Sequence, residues 1–263
     1  MRHELSQRLR GKFKDCLYRG ISDVGYRLTP RSYLADIEMW YHLRKLFARQ
    51  GINTVLDVGA NEGQYRNFLR RRCGFNGWIV SFEPVRSVFE VLKTKAKVDH
   101  RWLTFNCAIG SQRGRCELNV MRDTHFSSFL DPLQTNVHRS NIIEKNVVER
   151  RETVEVQCLS DIIPWLSRRY PIGRIYLKTD TQGHDLEVLR GARGELNTIV
   201  ALQIEVPVKP VYNVMPTFSQ MIDALAVYGF DVTGMFVVSR DELMRVIEFD
   251  CVAVNNKMVS RPS

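Results

Sequence analysis

The spacing of apolar positions changes character along the chain. Leu5, Leu9, Phe13 and Leu17 recur every fourth residue, with Arg8, Arg10, Lys12, Lys14 and Arg19 between them, which is the pattern of a basic amphipathic helix. Leu34, Ile37, Trp40, Tyr41, Leu43, Leu46 and Phe47 carry a helical spacing over residues 33–49. Gly51 is placed to end that helix, because glycine enters the left-handed C-cap conformation freely. From Ile52 the pattern becomes short apolar runs alternating with amphipathic stretches. Strands are predicted over 52–58, 78–82, 102–108, 175–179 and 199–206. Helices are predicted over 64–72, 85–95, 160–170 (capped by Ser160), 185–196 and 217–228 (capped by Thr217). Two further strands, 115–120 and 153–159, flank a polar segment at 125–151 long enough to be a lid or substrate loop. Strands at 230–238 and 245–254 close the chain.

Strands alternating with helices predict an α/β fold with a mostly parallel, doubly wound sheet, and the closing pair predicts a terminal antiparallel strand. The organisation expected is a basic helical N-terminal extension over residues 1–50 and one α/β domain over 51–258. Trp40, Trp78, Trp102 and Trp165 read as core or hydrophobic cover.

Charge adds one feature. The net charge is +9, and residues 1–31 hold eight Lys/Arg against three Asp/Glu. That stretch could dock on its own core or lie on an anionic membrane surface; an anionic substrate or nucleic acid would also answer the charge. No apolar run reaches the roughly 18 residues of a membrane span, and no secretory signal is visible. The six cysteines lack CxxC spacing, which argues against a zinc site and for reduced thiols. A cytoplasmic protein, peripheral at the inner face of a membrane if the basic helix binds lipid, is the expectation.

The densest chemistry begins at Thr54-Val55-Leu56-Asp57-Val58-Gly59-Ala60-Asn61-Glu62-Gly63-Gln64-Tyr65, followed by Phe82-Glu83-Pro84. An apolar run ends near an acid, a glycine loop opens into a helix, and a second acid ends the next run. This arrangement holds an adenosine-bearing cofactor at the C-terminal ends of parallel strands. Asp57 and Glu62 would repel a pyrophosphate but suit S-adenosylmethionine, which carries an ammonium and a sulfonium. Asp57 could hold the ammonium. Gly59, Ala60, Asn61, Gly63, Gln64 and Tyr65 would form the loop against the methionine part. Glu83 could accept both ribose hydroxyls, Pro84 turns the chain off the sheet, and Asn106, Cys107 and Ala108 would border the adenine. The plainer alternative is that Asp57 and Glu83 cap loops.

A second dense stretch is Leu177-Lys178-Thr179-Asp180-Thr181-Gln182-Gly183-His184-Asp185-Leu186-Glu187. Asp180 falls at the tip of a strand beside the cofactor loop. His184 and Asp185 start the next helix, and Glu205 ends the following strand. Together with Val55–Tyr65, Phe82–Pro84, Ala108-Ile109-Gly110 and Ser127-Ser128, these segments resemble FkbM-family methyltransferases over about residues 50–210. The resemblance implies a class I, Rossmann-like methyltransferase and S-adenosylmethionine-dependent O-methylation of a hydroxyl on a sugar, glycolipid or related natural product. Many members read K-[IV]-D-[VI]-[EQ]-G-x-E here; this chain has Asp185 in place of the final Glu, and His184 where a small or apolar residue is usual.

An alkyl hydroxyl is a poor nucleophile, so a base or a metal must help remove its proton. Asp180, His184, Asp185 and Glu205 are the acceptor-side candidates. The same four could hold Mg²⁺, but neighbours on a helix splay apart, which favours a metal-free base over His184 and Asp185 as joint ligands. His125, Ser127 and Ser128 could line the cleft. Lys178 is expected to point away from Asp180's neighbour across the strand and could pair with Glu205. Lys209, Tyr212 and Asn213 could meet an acceptor. A nucleic-acid acceptor is disfavoured, because Asp180-Thr181-Gln182-Gly183 stands where an amine-methylating N-P-P-Y motif would be. A non-catalytic binding protein on the same fold is the third alternative.

Overall fold

The computed structural model describes residues 34–133 and 146–258. The basic stripe at Leu5–Leu17 lies outside the described residues. The chain divides into two compact units, Met1–Glu38 and Met39–Ser263, and the second contains every strand found among the described residues.

Helix α1 (Leu34–Gln50) ends at Gly51, whose φ of +59° is the expected left-handed cap. The strands after it are β1 (Thr54–Val58), β2 (Trp78–Phe82), β3 (Trp102–Phe105), β4 (Ala108–Ile109), β5 (Gly114–Met121), β6 (Val148–Gln157), β7 (Ile175–Thr179), β8 (Ile199–Pro207), β9 (Phe230–Arg240) and β10 (Val246–Asn255). Between them run α2 (Gln64–Phe68), α3 (Arg86–Ala96), α4 (Leu159–Ser167), α5 (Asp185–Gly191) and α6 (Phe218–Tyr228).

Seven strands form one sheet in the order β3-β2-β1-β7-β8-β10-β9. The first five are parallel, and β10 inserts antiparallel between β8 and β9. This is the doubly wound, class I Rossmann-like arrangement, with the order reversing between β1 and β7. Alternate residues of each strand feed opposite cores. Leu56, Val80 and Leu177 pack with Ile163 of α4, Val188 of α5 and Leu225 of α6. Val55, Ile79 and Tyr176 pack with Leu43 and Phe47 of α1, Leu69, and Leu92 of α3. Both faces are therefore covered, as a parallel sheet requires.

Several predicted elements differ in detail, among them the strand at 153–159, which is β6, Val148–Gln157, and begins inside the segment expected to be a polar loop. The run 102–108 is two strands: β3 belongs to the large sheet, whereas β4 pairs with β6 in a second, three-stranded sheet of order β4-β6-β5. Asn106 makes the break, its Nδ2 donating to the carbonyls of Glu83 (2.9 Å) and Pro84 (3.0 Å). Ser160 is not a cap; α4 starts one residue earlier, after Cys158, without a side-chain cap. The helix at 64–72 passes into a π-helical turn, Leu69–Cys73. The helix at 185–196 stops at Gly191 and resumes as a 3-10 turn, Arg193–Thr198. A Cβ on Gly191 would overlap the Gly110 carbonyl, so the helix end is pressed against β4's loop. Thr217 does cap α6, in a reciprocal box with Gln220.

The described part of segment 125–151 is partly structured. A 3-10 turn, Thr124–Phe126, leads to a bridge between Ser128 and Asn119 and another between Pro132 and Tyr212. This stretch forms a strap across the C-terminal ends of the large sheet's strands.

Candidate functional site

The glycine loop is set by internal packing. Gly59 and Ala60 donate their N–H groups to Phe82 O at 3.1 and 3.0 Å, tying the loop to the end of β2. Gly59 has φ +77°, and a Cβ there would overlap the Asp180 carbonyl. Gly63 has φ +86°, and its Cβ would strike the Trp102 ring at 2.5 Å. Both glycines are thus demanded by the protein's own chain, not only by close approach of a ligand. Ala60 is buried in the core and the Gln64 side chain is directed toward His125, at 3.1 Å.

Asn61, at φ +46°, turns its N–H onto Glu83 Oε2 at 2.9 Å. Val85 N–H meets Glu83 Oε1 at 2.8 Å. Glu83 is buried, and burial pushes its carboxyl up to about 7, against the two amides that favour the charged form. Each oxygen accepts one backbone proton and keeps a second lone-pair direction, a fit to a pair of vicinal hydroxyls.

Asp57 lies elsewhere than expected. It is fully buried on the sheet face below the loop, in a row of registered neighbours, Ser81, Asp57, Lys178 and Gln203. Ser81 donates its hydroxyl to Asp57 at 3.1 Å, and Lys178 Nζ stands 3.4 Å from the other oxygen as an ion contact. Burial raises the Asp57 carboxyl, and Lys178 opposes that rise. Tyr65 joins the same buried row, donating to Gln203 at 2.7 Å. Asp57 and Tyr65 are cofactor contacts by sequence position; their side chains instead build the floor beneath the cavity. Glu62 is on the surface, paired with Lys95 at 2.7 Å.

Lys178 is the hub of that floor. Its ammonium contacts Asp57, Asp180 at 3.2 Å and the Gly59 carbonyl at 3.4 Å. It pairs with these rather than with Glu205. Burial works against its charge, but Asp180 and Asp57 prevail and hold it above the ordinary lysine range. The side chain turns toward Asp180, two residues on, and the expected pairing with Glu205 is not made.

The acceptor-side candidates separate into two groups. Asp180 and Glu205 reach a cavity at the ends of β7 and β8, and Gln182 Nε2 bridges them at 3.0 and 3.1 Å. Burial, then Asp180, Glu248 and Asp250, raises the Glu205 carboxyl well above its usual range. His184 and Asp185 lie off the cavity wall. His184 packs on Phe129 with ring centroids 4.8 Å apart, and burial lowers its pKa. Asp185 is buried at the start of α5, where it accepts the Thr181 N–H at 3.2 Å. The conditional metal set is divided in the same way, and among the described residues no group of three or more His, Cys, Asp or Glu is placed to hold a metal ion.

The cavity measures about 260 Å³. Asn61, Glu83 and Pro84 line it by the end of β2, Asp180, Gln182 and Glu205 by the ends of β7 and β8, with Gly59 against Asp180 between them, and Cys107, Ala108 and Ile109 line it as well. The strap covers it with Thr124, His125, Phe126, Ser127 and Phe129. Asn61 Nδ2 donates to Thr124 at 3.1 Å, and Tyr212 donates to Phe126 O at 2.8 Å. Ser128 does not line the cavity; its hydroxyl is buried against Gln182 O at 2.7 Å. Of the other acceptor candidates, Lys209 is paired with Asp241 at 2.7 Å and Asn213 donates its N–H to the Asp131 carbonyl. Thr124, Phe126, Gln182, Val238 and Glu248 line the cavity in addition to the residues expected from sequence. Gln182 stands inside the strand-end motif and was within reach of sequence reasoning; Val238 and Glu248 enter through β9 and β10, whose register no local pattern reveals.

A family model described as the methyltransferase FkbM domain matches residues 57–232. The chain belongs to the FkbM methyltransferase family. Membership makes S-adenosylmethionine the methyl donor, and Glu83 with its two unused lone-pair directions fits the donor's ribose. Solved structures similar to this FkbM domain include fibrillarin from Aeropyrum pernix with S-adenosyl-L-methionine, at 10% identity and TM-score 0.43, covering 77% of this chain and 66% of that one. The chain thus spans just under two thirds of that protein's length. Magnesium protoporphyrin IX methyltransferase from Synechocystis PCC 6803 matches at 10% identity and TM-score 0.45, covering 84% of this chain and 80% of that one. A Burkholderia thailandensis 1,6-didemethyltoxoflavin-N1-methyltransferase matches at 13% identity and TM-score 0.44, covering 96% and 89%. No curated protein matches the chain.

Proposed function

We propose that this FkbM-family protein is an S-adenosylmethionine-dependent O-methyltransferase acting on a hydroxyl of a sugar, glycolipid or related natural product. The observation that carries the reading is one cavity with Glu83 at one end and Asp180, Gln182 and Glu205 at the other. Bound there, S-adenosylmethionine supplies an electrophilic methyl group. Glu83 accepts the ribose hydroxyls, and Cys107 and Ala108 wall the purine side. Asp180, steadied by Lys178 and Gln182, is placed to take the proton of an acceptor hydroxyl; the methyl would pass to that oxygen as its bond to sulfur breaks, leaving S-adenosylhomocysteine. Alignment of oxygen and methyl under the strap supplies much of the rate, because the displacement is in-line.

Calorimetric titration with S-adenosylhomocysteine tests the donor half. Wild type should bind, and Glu83→Ala should weaken binding by about a hundredfold, the loss of two charge-assisted hydrogen bonds. A labelled-methyl screen over neutral glycans and glycolipids tests the acceptor half; label recovered on nitrogen would overturn the O-methyl assignment. The basic stretch at 1–31 supports an acceptor at an anionic membrane surface. Liposomes containing anionic lipid should retain the full chain better than a 1–31 deletion, and equal retention would remove that part of the reading. Among the described residues no helix is long and apolar enough to cross a membrane.

A further inference from the structure

Gln182 sits where side chains are rarely found, at φ +52°, immediately before Gly183 at φ +95°. Its side chain is tied at every polar atom. Nε2 donates to Asp180 Oδ1 at 3.0 Å and to Glu205 Oε2 at 3.1 Å, and Oε1 accepts from the Tyr212 hydroxyl at 2.9 Å. The Tyr212 proton is shared with Phe126 O. Ser128 holds the Gln182 carbonyl from the strap. The amide faces its nitrogen to the two acids and its oxygen to the Tyr212 hydroxyl, so that each acid oxygen receives an N–H. A left-handed non-glycine residue persists only where its surroundings over-determine it, and these tend to be functional positions.

We propose that Gln182 is a positioning residue for methyl transfer, its amide holding the Asp180 and Glu205 carboxylates apart and turned into the cavity. The inference rests on the proposed donor site. Without the two amide protons, the two acids at neighbouring strand ends lose their shared partner, and each is free to turn toward water or another donor. With them, both acids face the same space, where the acceptor hydroxyl must enter. Tyr212 holds the amide oxygen and Ser128 the backbone carbonyl of the same residue, so the strap and the two acids are tied together through Gln182.

A cation placed in that space reports the alignment without any acceptor. The probe is the donor analogue in which a carbon bearing an ammonium replaces the sulfonium sulfur, compared by calorimetry with S-adenosylhomocysteine, which is neutral there. Wild type should prefer the ammonium analogue by about tenfold, the scale of a charge-assisted contact. In Gln182→Met and Gln182→Gly that preference should fall below about threefold, with S-adenosylhomocysteine affinity within about twofold of wild type. The glycine variant relieves the left-handed backbone and so guards against simple misfolding. In a Glu205→Gln background, Gln182→Gly should cost less further preference than in wild type, because one of the amide's two contacts has already been altered. Retention of the preference in both Gln182 variants overturns the proposal. A parallel loss of both ligands also overturns it, since that marks a merely structural role. Wild type that binds S-adenosylhomocysteine without any preference removes this inference alone; wild type that binds neither ligand removes the donor reading as well.

Discussion

At the residue scale, the two ends of the cavity depend on carboxylates whose surroundings resist their charge. Glu83 must be ionised to accept two hydroxyls, yet burial holds its carboxyl up to about 7. S-adenosylhomocysteine affinity should therefore rise between about pH 6 and 8 and level off above, and Glu83→Gln should flatten that dependence. Titrations in two buffers of different ionisation heat should show proton release on binding near pH 7. Lys178 makes the opposite case. Its ammonium is shared among Asp57, Asp180 and the loop carbonyl of Gly59. Lys178→Met should destabilise the fold by about 3–5 kcal/mol, because it strands a buried carboxylate. Adding Asp57→Asn should restore much of the loss, read as a melting temperature. These side chains also show what the sequence could tell. Asn61, Glu83, Pro84, Cys107, Ala108, Asp180 and Glu205 reach the cavity, as their strand-end positions suggest. Asp57 does not. It sits one residue before the end of β1, on the face where Lys178 and Ser81 are its registered partners, and a single chain does not display register. His184 and Asp185 are close to Asp180 in sequence, but the turn at Gly183 carries them behind the wall.

At the scale of elements, the strand and helix series was legible because the change of period marks each unit. What escaped was where chain meets chain. The run 102–108 is continuous in apolar character, and only the Asn106 side chain, bonded across to Glu83 O and Pro84 O, divides it between two sheets. The helix at 185–196 stops because Gly191 abuts Gly110, a contact between elements far apart in sequence. The same logic makes the glycine loop brittle. Gly59→Ala places a Cβ against the Asp180 carbonyl and forces φ +77° on alanine. It should destabilise by about 2–4 kcal/mol and disturb both ends of the cavity together. Thr217→Ala removes a reciprocal cap distant from the cavity and should cost only about 1 kcal/mol, with S-adenosylhomocysteine affinity unchanged.

For the whole molecule, charge is unevenly distributed. The chain carries a net +9, while among the described residues the cavity is lined by Glu83, Asp180, Glu205 and Glu248 and by no Lys or Arg. Burial raises Glu83 to about 7 and Asp250 to about 6, and raises Asp57, Asp185 and Glu205 as well. Groups that bind protons more tightly when folded favour the folded state at lower pH. Stability should thus fall as pH climbs from the ordinary carboxylate range through about 7. Cofactor-free protein should melt higher at about pH 6 than at about pH 8, and saturating S-adenosylhomocysteine should narrow the gap by favouring ionised Glu83. A melting temperature that rises with pH across that window would contradict the burial of these acids.

The division at Asn106 has a consequence for how such a protein can change. The large sheet brings Glu83, Asp180 and Glu205 to the cavity at its strand ends, while the separate small sheet brings Ala108, Ile109 and Leu118, and the strap adds Phe126 and Phe129. The small sheet packs on Val85 and Val88 through Ala108, Leu118, Val120, Val154 and Val156, and the strap adds the Asn61–Thr124, Gln182–Ser128 and Tyr212–Phe126 bonds. Such a layout is only partly modular: a strap grafted from a relative would bring its own acceptor preference, whereas exchanging β4 would also replace the wall beside the purine of the proposed donor site.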